Sequence, residues 1–291
     1  MPSYTQADLL ESIYDGRLDL SGQELTEIPP ALFELGDQLN HLDLSRNQIT
    51  TIPNSLAQLC QLTHLDLSQN TITTIPDSLA QLSQLRQLVL GANQITSLSD
   101  SLAQLSHLSE LDLTRNQITT IPDFLASLSQ LAELHLGGNR ITTIPDALAE
   151  LSHLTRLNLW ANQITPIPDS LGQLSHLTHL NIGGNHISAI PGSLGRLSQV
   201  TTLFLDDNQL IDLPHSLLRL TKLTQLFLHS NPQLGLPAEV LGPTWLDVYQ
   251  YRKLRFENLG PEWDVLRQRG LPADPRAILN FYFRTQVDFL P

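Results

Sequence analysis

Cysteine is nearly absent from this 291-residue chain: Cys60 stands alone. A single thiol cannot close an intramolecular disulfide, which excludes a disulfide-stapled scaffold and agrees with a reducing compartment. Basic residues are also scarce, 16 Lys and Arg against 29 Asp and Glu, for a net charge of −13. Residues 1–242 carry 9 basic and 23 acidic side chains, so the bulk of the chain repels phosphate and nucleic acid is excluded as a partner. No stretch approaches the roughly 18 uninterrupted apolar residues of a membrane span, and the start Met1-Pro-Ser-Tyr-Thr-Gln-Ala-Asp8 lacks the basic and apolar regions of an export signal. The expectation is a cytoplasmic protein with no membrane contact. No G-x-x-x-x-G-K-[ST] loop occurs, so the chain has no phosphate loop of the GTPase type.

What the sequence has is a period. Asn47, Asn70, Asn93, Asn116, Asn139, Asn162, Asn185, Asn208 and Asn231 follow one another at intervals of 23 residues. Around each the same apolar frame recurs, as in Leu39, Leu42, Leu44, Asn47, Ile49, Ile52, Leu56 and Leu59. In Leu42-Asp43-Leu44 the alternation puts two leucines on one side of a short strand and Asp43 on the other. The Asn follows where the chain bends away, and its amide there satisfies backbone groups that a buried turn would otherwise leave unpaired. Ile52-Pro53 then directs the chain into an extended return, and Pro at the first helical position suits a short helical or 3₁₀ turn carrying Leu56 and Leu59. The third full copy has Leu98-Ser99 in place of Ile-Pro, which predicts a locally looser outer segment.

The frame L-x-x-L-x-L-x-x-N-x-I-x-x-I-P-x-x-L-x-x-L resembles the leucine-rich repeat. The resemblance implies an α/β solenoid, a horseshoe with a parallel sheet on its concave face. No single repeat closes its own core, so each end requires a cover. Residues 1–16 read as an N-terminal cap helix, with Ser3 and Gln6 as a capping box, Leu9, Leu10 and Ile13 as the apolar stripe and Gly16 as the stop. Residues 17–241 hold ten repeats, and 242–291 form a helical C-terminal cap rich in aromatics: Trp245, Tyr249, Tyr251, Phe256, Trp263, Phe281, Tyr282 and Phe283. Within it, Asp274-Pro275 reads as N-cap and first helical residue, placing Ile278, Leu279, Tyr282 and Phe283 on one face.

Gly16-Arg-Leu-Asp-Leu-Ser-Gly22, Asn231-Pro-Gln-Leu-Gly-Leu-Pro-Ala-Glu239 and Asp274-Pro-Arg-Ala-Ile-Leu-Asn-Phe-Tyr-Phe-Arg-Thr-Gln286 resemble the entry, the exit and the exit helix of the repeats in bacterial and cyanobacterial Roco proteins, where they precede a Roc-COR GTPase. That likeness implies a detached regulatory module of a Roco-like GTPase system as one function.

The other function follows from the strand alternation, which points the residues between the leucines away from the core. That outward face is acidic in the first half, with Asp19, Asp43, Asp66 and Asp112, and apolar later, with Phe204 and Phe227 in neighbouring strands. Trp160 lies between the glycine pairs Gly137-Gly138 and Gly183-Gly184. Exposed aromatics with polar neighbours suit a protein partner. The expected partner-binding set is Trp160, Phe204, Phe227, Arg156, His135, Asn158, Asn181 and His179, on a monomeric, non-catalytic scaffold without cofactor. The C-terminal cap folding over Phe227 and Phe204 is the competing account of those rings. His41, Asp43, His64 and Asp66 have metal-ligand chemistry in register but read as a solvated acidic patch, so no metal is assigned. Cys60 replaces a Ser or Thr of other repeats and reads as a substitution, not a nucleophile.

Overall fold

The computed structural model describes residues 4–244, 246 and 273–287. Ser3, Trp245, Tyr249, Tyr251, Phe256 and Trp263 lie outside the described residues. The chain forms two compact units, Met1–Gln163 and Ile164–Pro291.

The first unit opens with helix α1 (Gln6–Ser12). Seven three-residue strands follow: β1 (Arg17–Asp19), β2 (His41–Asp43), β3 (His64–Asp66), β4 (Gln87–Val89), β5 (Glu110–Asp112), β6 (Glu133–His135) and β7 (Arg156–Asn158). They pair in parallel and in chain order, with His41 opposite His64 and Leu42 opposite Leu65, so the 23-residue period is the register of the sheet. The second unit holds β8 (His179–Asn181), β9 (Thr202–Phe204) and β10 (Gln225–Phe227), again parallel, then α2 (Ala238–Leu241) and α3 (Pro275–Val287). Among the described residues no helix is long and apolar enough to cross a membrane.

The leucine frame is the core of each unit. Leu39, Leu44, Ile49 and Leu59 are fully enclosed, and Leu42 and Leu56 nearly so. Burying one such side chain contributes about 1.5–3 kcal/mol, and the repeat does so only against its neighbours. The asparagines bind the repeats to one another. Asn70 Nδ2 donates to Leu67 O (3.0 Å) within its own repeat and to Leu44 O (3.0 Å) in the preceding one, while its Oδ1 accepts from Ile49 N (2.9 Å). The residue before each Asn turns into the left-handed region, as at Arg46, Gln69 and Ala92, and Gly138 and Gly184 meet that demand without a side-chain penalty.

Three local expectations need correction. The first capping box is Thr5 with Asp8: the Thr5 hydroxyl accepts from Asp8 N (3.2 Å) and the Asp8 carboxylate accepts from Thr5 N (2.9 Å). Asp8 supplies the carboxylate that a Ser3–Gln6 pair lacks. The helix ends at Ile13, before Gly16, and Leu10 remains 40% exposed. The repeat prolines sit one residue before the 3₁₀ turns, since Pro53 is extended (ψ 150°) and the turn spans Asn54–Gln58. In the third full copy the turn Asp100–Gln104 still forms, because the Ser99 hydroxyl accepts from Ser101 N (3.2 Å) and donates to Asp77. Only Leu98, half-buried where other repeats bury an Ile, keeps a trace of looser packing.

Helix α3 follows its sequence signature. Asp274 Oδ1 accepts from Arg276 N (3.0 Å), and Ile278, Leu279, Tyr282 and Phe283 are buried. The Tyr282 hydroxyl accepts from Leu213 N (3.2 Å) and Phe283 stacks on His215 with ring centroids 4.0 Å apart, so α3 covers the outer side of the ninth repeat.

Candidate functional site

The positions between the leucines form the open face of each sheet, and the middle row has a fold duty that sequence alone did not disclose. Asp19, Asp43, Asp66 and Asp112 each accept the backbone N–H two residues on, at Ser21 (2.8 Å), Ser45 (2.8 Å), Ser68 (2.7 Å) and Thr114 (2.7 Å). Asn158 does the same for Trp160 N and Asn181 for Gly183 N, both at 3.1 Å. One oxygen of each of these side chains therefore closes the turn that leaves the strand, and the remainder of the group faces outward. The signal was the recurrence of Asp or Asn at that place.

In the first unit His135 lies on β6, Arg156 and Asn158 on the neighbouring β7, and Trp160 two residues beyond it. Glu133, which the sequence reading left out of the set, bridges two of them: its carboxylate lies 3.3 Å from His135 Nε2 and 3.4 Å from Arg156 Nε. Arg156 is exposed and Trp160 half-buried. Gly137 keeps that strand crossing open, since a Cβ there would meet Asn158 Oδ1 at 3.2 Å and Trp160 O at 3.3 Å.

In the second unit Phe204 and Phe227 stack, centroids 4.8 Å apart and rings within 12° of parallel. They are not equally available. Phe204 is half-buried, whereas Phe227 is only 2% exposed, which departs from the expectation that both rings stand in the open. Beside β10, His229 Nε2 donates to Gly242 O (2.9 Å), which ties the chain after α2 to the residues that follow the strand. His179 is half-buried, with Nδ1 2.9 Å from the Thr178 hydroxyl.

Asp206, in the row after the strand, is 3% exposed and its Oδ1 has no hydrogen-bond partner. Burial, reinforced by the charge of Asp207, pushes its carboxyl up to about 6 against an opposing hydrogen bond from its own backbone. A carboxyl raised in the folded state stabilises the fold below its ordinary 3.8 and loses that contribution as pH rises through about 6. The wild type is therefore expected to lose up to about 3 kcal/mol between pH 4 and pH 7, and Asp206→Asn to remove that slope. Melting temperatures of both proteins across this range test it; parallel curves would refute the assignment.

His41 and His64 stack face to face, centroids 3.6 Å apart. Among the described residues no three His, Cys, Asp or Glu side chains gather as a metal-ligand set. His107 and His153, in the loops, each reach a carbonyl of the preceding repeat, Ser83 O (3.0 Å) and Ser129 O (2.9 Å).

No curated protein gives a significant sequence match to the chain. Among solved structures it is similar to a leucine-rich repeat protein of Leptospira interrogans, at 27% identity over 78% of this chain and 70% of that one, with a TM-score of 0.61. It is also similar to the ectodomain of the Arabidopsis thaliana membrane receptor kinase GASSHO1/SCHENGEN3 in complex with CASPARIAN STRIP INTEGRITY FACTOR 2 (34% identity, 77% of this chain, TM-score 0.67). A third likeness is to the Arabidopsis receptor kinase HAESA in complex with the peptide hormone IDA and the co-receptor SERK1 (29% identity, 73% of this chain, TM-score 0.66). The chain spans 29% and 37% of the two plant receptor chains. The leucine-rich repeat profile matches residues 17–72 and overlapping stretches from 83–141 to 176–232, and a two-copy repeat profile matches 60–104. With its strands, asparagine ladder and buried leucines all in that pattern, the chain belongs to the leucine-rich repeat family.

Proposed function

We propose that this protein is a non-catalytic scaffold that binds a protein or peptide partner on the open face of its parallel strands. The observation that carries the reading is the division of labour along each strand: leucines such as Leu134, Leu157 and Leu203 are buried to within 1% of completely, while the strand positions beside them, Thr202 and Phe227 excepted, are at least partly open and chemically varied. Arg156, His135, Asn158 and Trp160 make up the contact set of the first unit; Phe204, Asn181 and His179 make up that of the second. The plant receptors, whose repeats are similar, are in complex with the peptide hormone IDA and a co-receptor in one case and with CASPARIAN STRIP INTEGRITY FACTOR 2 in the other, which supports a protein or peptide partner here. The free, exposed thiol of Cys60 suits a cytoplasmic setting.

Trp160→Ala is expected to change stability by about 1 kcal/mol or less, because the ring is half-exposed, and to weaken partner binding by about 2 kcal/mol, near thirtyfold. Capture of binding proteins from a cell extract by the wild type and the variant, beside their melting curves, checks both. Equal capture by the two would remove Trp160 from the interface. A narrower reading, a regulatory module of a Roco-like GTPase system, uses the same surface with a GTPase as partner; residues 275–287 do form the helix it requires. Capture of a Roc-COR protein in the same experiment would favour it.

A further inference from the structure

The open face of β1 to β4 contains a cavity of about 480 Å³, lined among others by Tyr14, Asp19, His41, Asp43, His64 and Asp66. Its hydrogen bonds fix the state of both imidazoles. Thr63 Oγ donates its one hydrogen to Asn40 O (2.9 Å), so it accepts from His64 Nδ1 (2.8 Å). Asn40 Oδ1 accepts from His41 Nδ1 (3.1 Å). Both rings thus carry their proton on Nδ1, and both Nε2 atoms are lone-pair acceptors with no partner among the described residues.

Asp19, Asp43 and Asp66 add to the same chemistry. One oxygen of each closes its turn, and the Ser21 and Ser68 side chains also hydrogen-bond to Asp19 and Asp66. Burial raises the Asp66 carboxyl above its ordinary value against the opposing Ser68 hydrogen bonds, and the charges of Asp43 and Asp112 add a smaller push the same way. Arg17 is the cation of the lining; it is exposed and makes no ion pair with a described carboxylate. The cavity is an acceptor-rich pocket on an acidic face, with the stacked imidazoles as a flat wall and the 83% exposed Tyr14 ring beside it. A planar cation with several N–H donors complements the acceptors and the flat wall, with Arg17 alone opposing it, and a guanidinium is that group.

We propose that this cavity binds the arginine side chain of a protein or peptide partner, with His41 and His64 Nε2 and the carboxylates of Asp43 and Asp66 as acceptors. The proposal rests on the recognition reading only for the source of the arginine; the pocket itself is tested without a partner. Occupancy depends on pH. Protonating either imidazole removes an acceptor and adds a positive charge beside Arg17 and Arg86, with Glu110 opposing and Asp19, Asp43 and Asp66 nearby. Burial holds both imidazoles below the ordinary value, next helped by the other ring and Arg17 at His41 and by Arg17 and Arg86 at His64, so they are neutral at pH 7.

The probe is N-acetyl-arginine amide, titrated into the full chain while the His41 and His64 ring resonances are followed by NMR. The expected result is a saturable shift of both rings at neutral pH, about tenfold weaker affinity for the uncharged citrulline and for the lysine analogue, and binding that weakens as acid protonates the rings. Asp66→Asn keeps the oxygen that accepts from Ser68 N, and should fold normally while binding arginine about tenfold more weakly. Equal affinity for arginine and citrulline in the wild type, or no shift of either ring, would overturn the proposal whatever the variant does. Equal affinity for lysine would overturn the guanidinium assignment, and a pocket that binds arginine while Trp160→Ala still captures its partner would locate the failure in the broader interface.

Discussion

Leu134→Ala is expected to destabilise the first unit by about 2–5 kcal/mol and Asn139→Ala by less, about 1–3 kcal/mol. The leucine is fully enclosed, so its truncation removes transferred methyl groups and leaves a cavity between adjacent repeats. The asparagine is small, but it answers three backbone groups: Nδ2 donates to Leu113 O (3.0 Å) and Leu136 O (2.9 Å), and Oδ1 accepts from Ile118 N (3.0 Å). Alanine leaves Ile118 N without its acceptor, at about 1–3 kcal/mol, whereas Leu113 O and Leu136 O still accept from the Asn116 and Asn162 amides (3.0 Å each). Denaturant unfolding of both variants is the measurement. A loss below 1 kcal/mol for Asn139→Ala would show that the ladder is replaceable by water.

Phe227→Ala carries the second large effect, about 3–5 kcal/mol, confined to the second unit. Its ring is 2% exposed and stacks on Phe204, so alanine opens a void in the core of that unit. Hydrogen exchange should lose protection in residues 200–240 and keep it in the first unit. Phe204→Ala, at a half-buried ring, is expected to cost less. Protection unchanged by Phe227→Ala would return that residue to the open recognition face.

The strands, their register and the identity of the core were legible because the information is local and repeated. A strand residue's side is set by parity, and a period of 23 makes each repeat the template for its neighbour, so Leu42, Leu65 and Leu88 were assigned together. Legibility failed wherever a residue served something outside its own repeat. Asn158 and Asn181 had been read as purely outward contacts, yet each also closes a turn. Glu133 gave no sign in sequence that His135 and Arg156 would converge on its carboxylate.

The amino-acid order by itself determined the parallel repeat architecture, the buried leucine and asparagine rows, and the helix beginning at Asp274-Pro275, since each depends on spacing, side-chain type and neighbours a few residues or one period away. Only the tertiary structure decided that Phe227 is covered while Phe204 stays half open, that Asp206 is buried without a partner, and that His41 and His64 stack with both Nε2 atoms free. Exposure, protonation and pairing belong to the whole surroundings of an atom, and in these cases they include groups such as Asn40 that the 23-residue pattern does not single out.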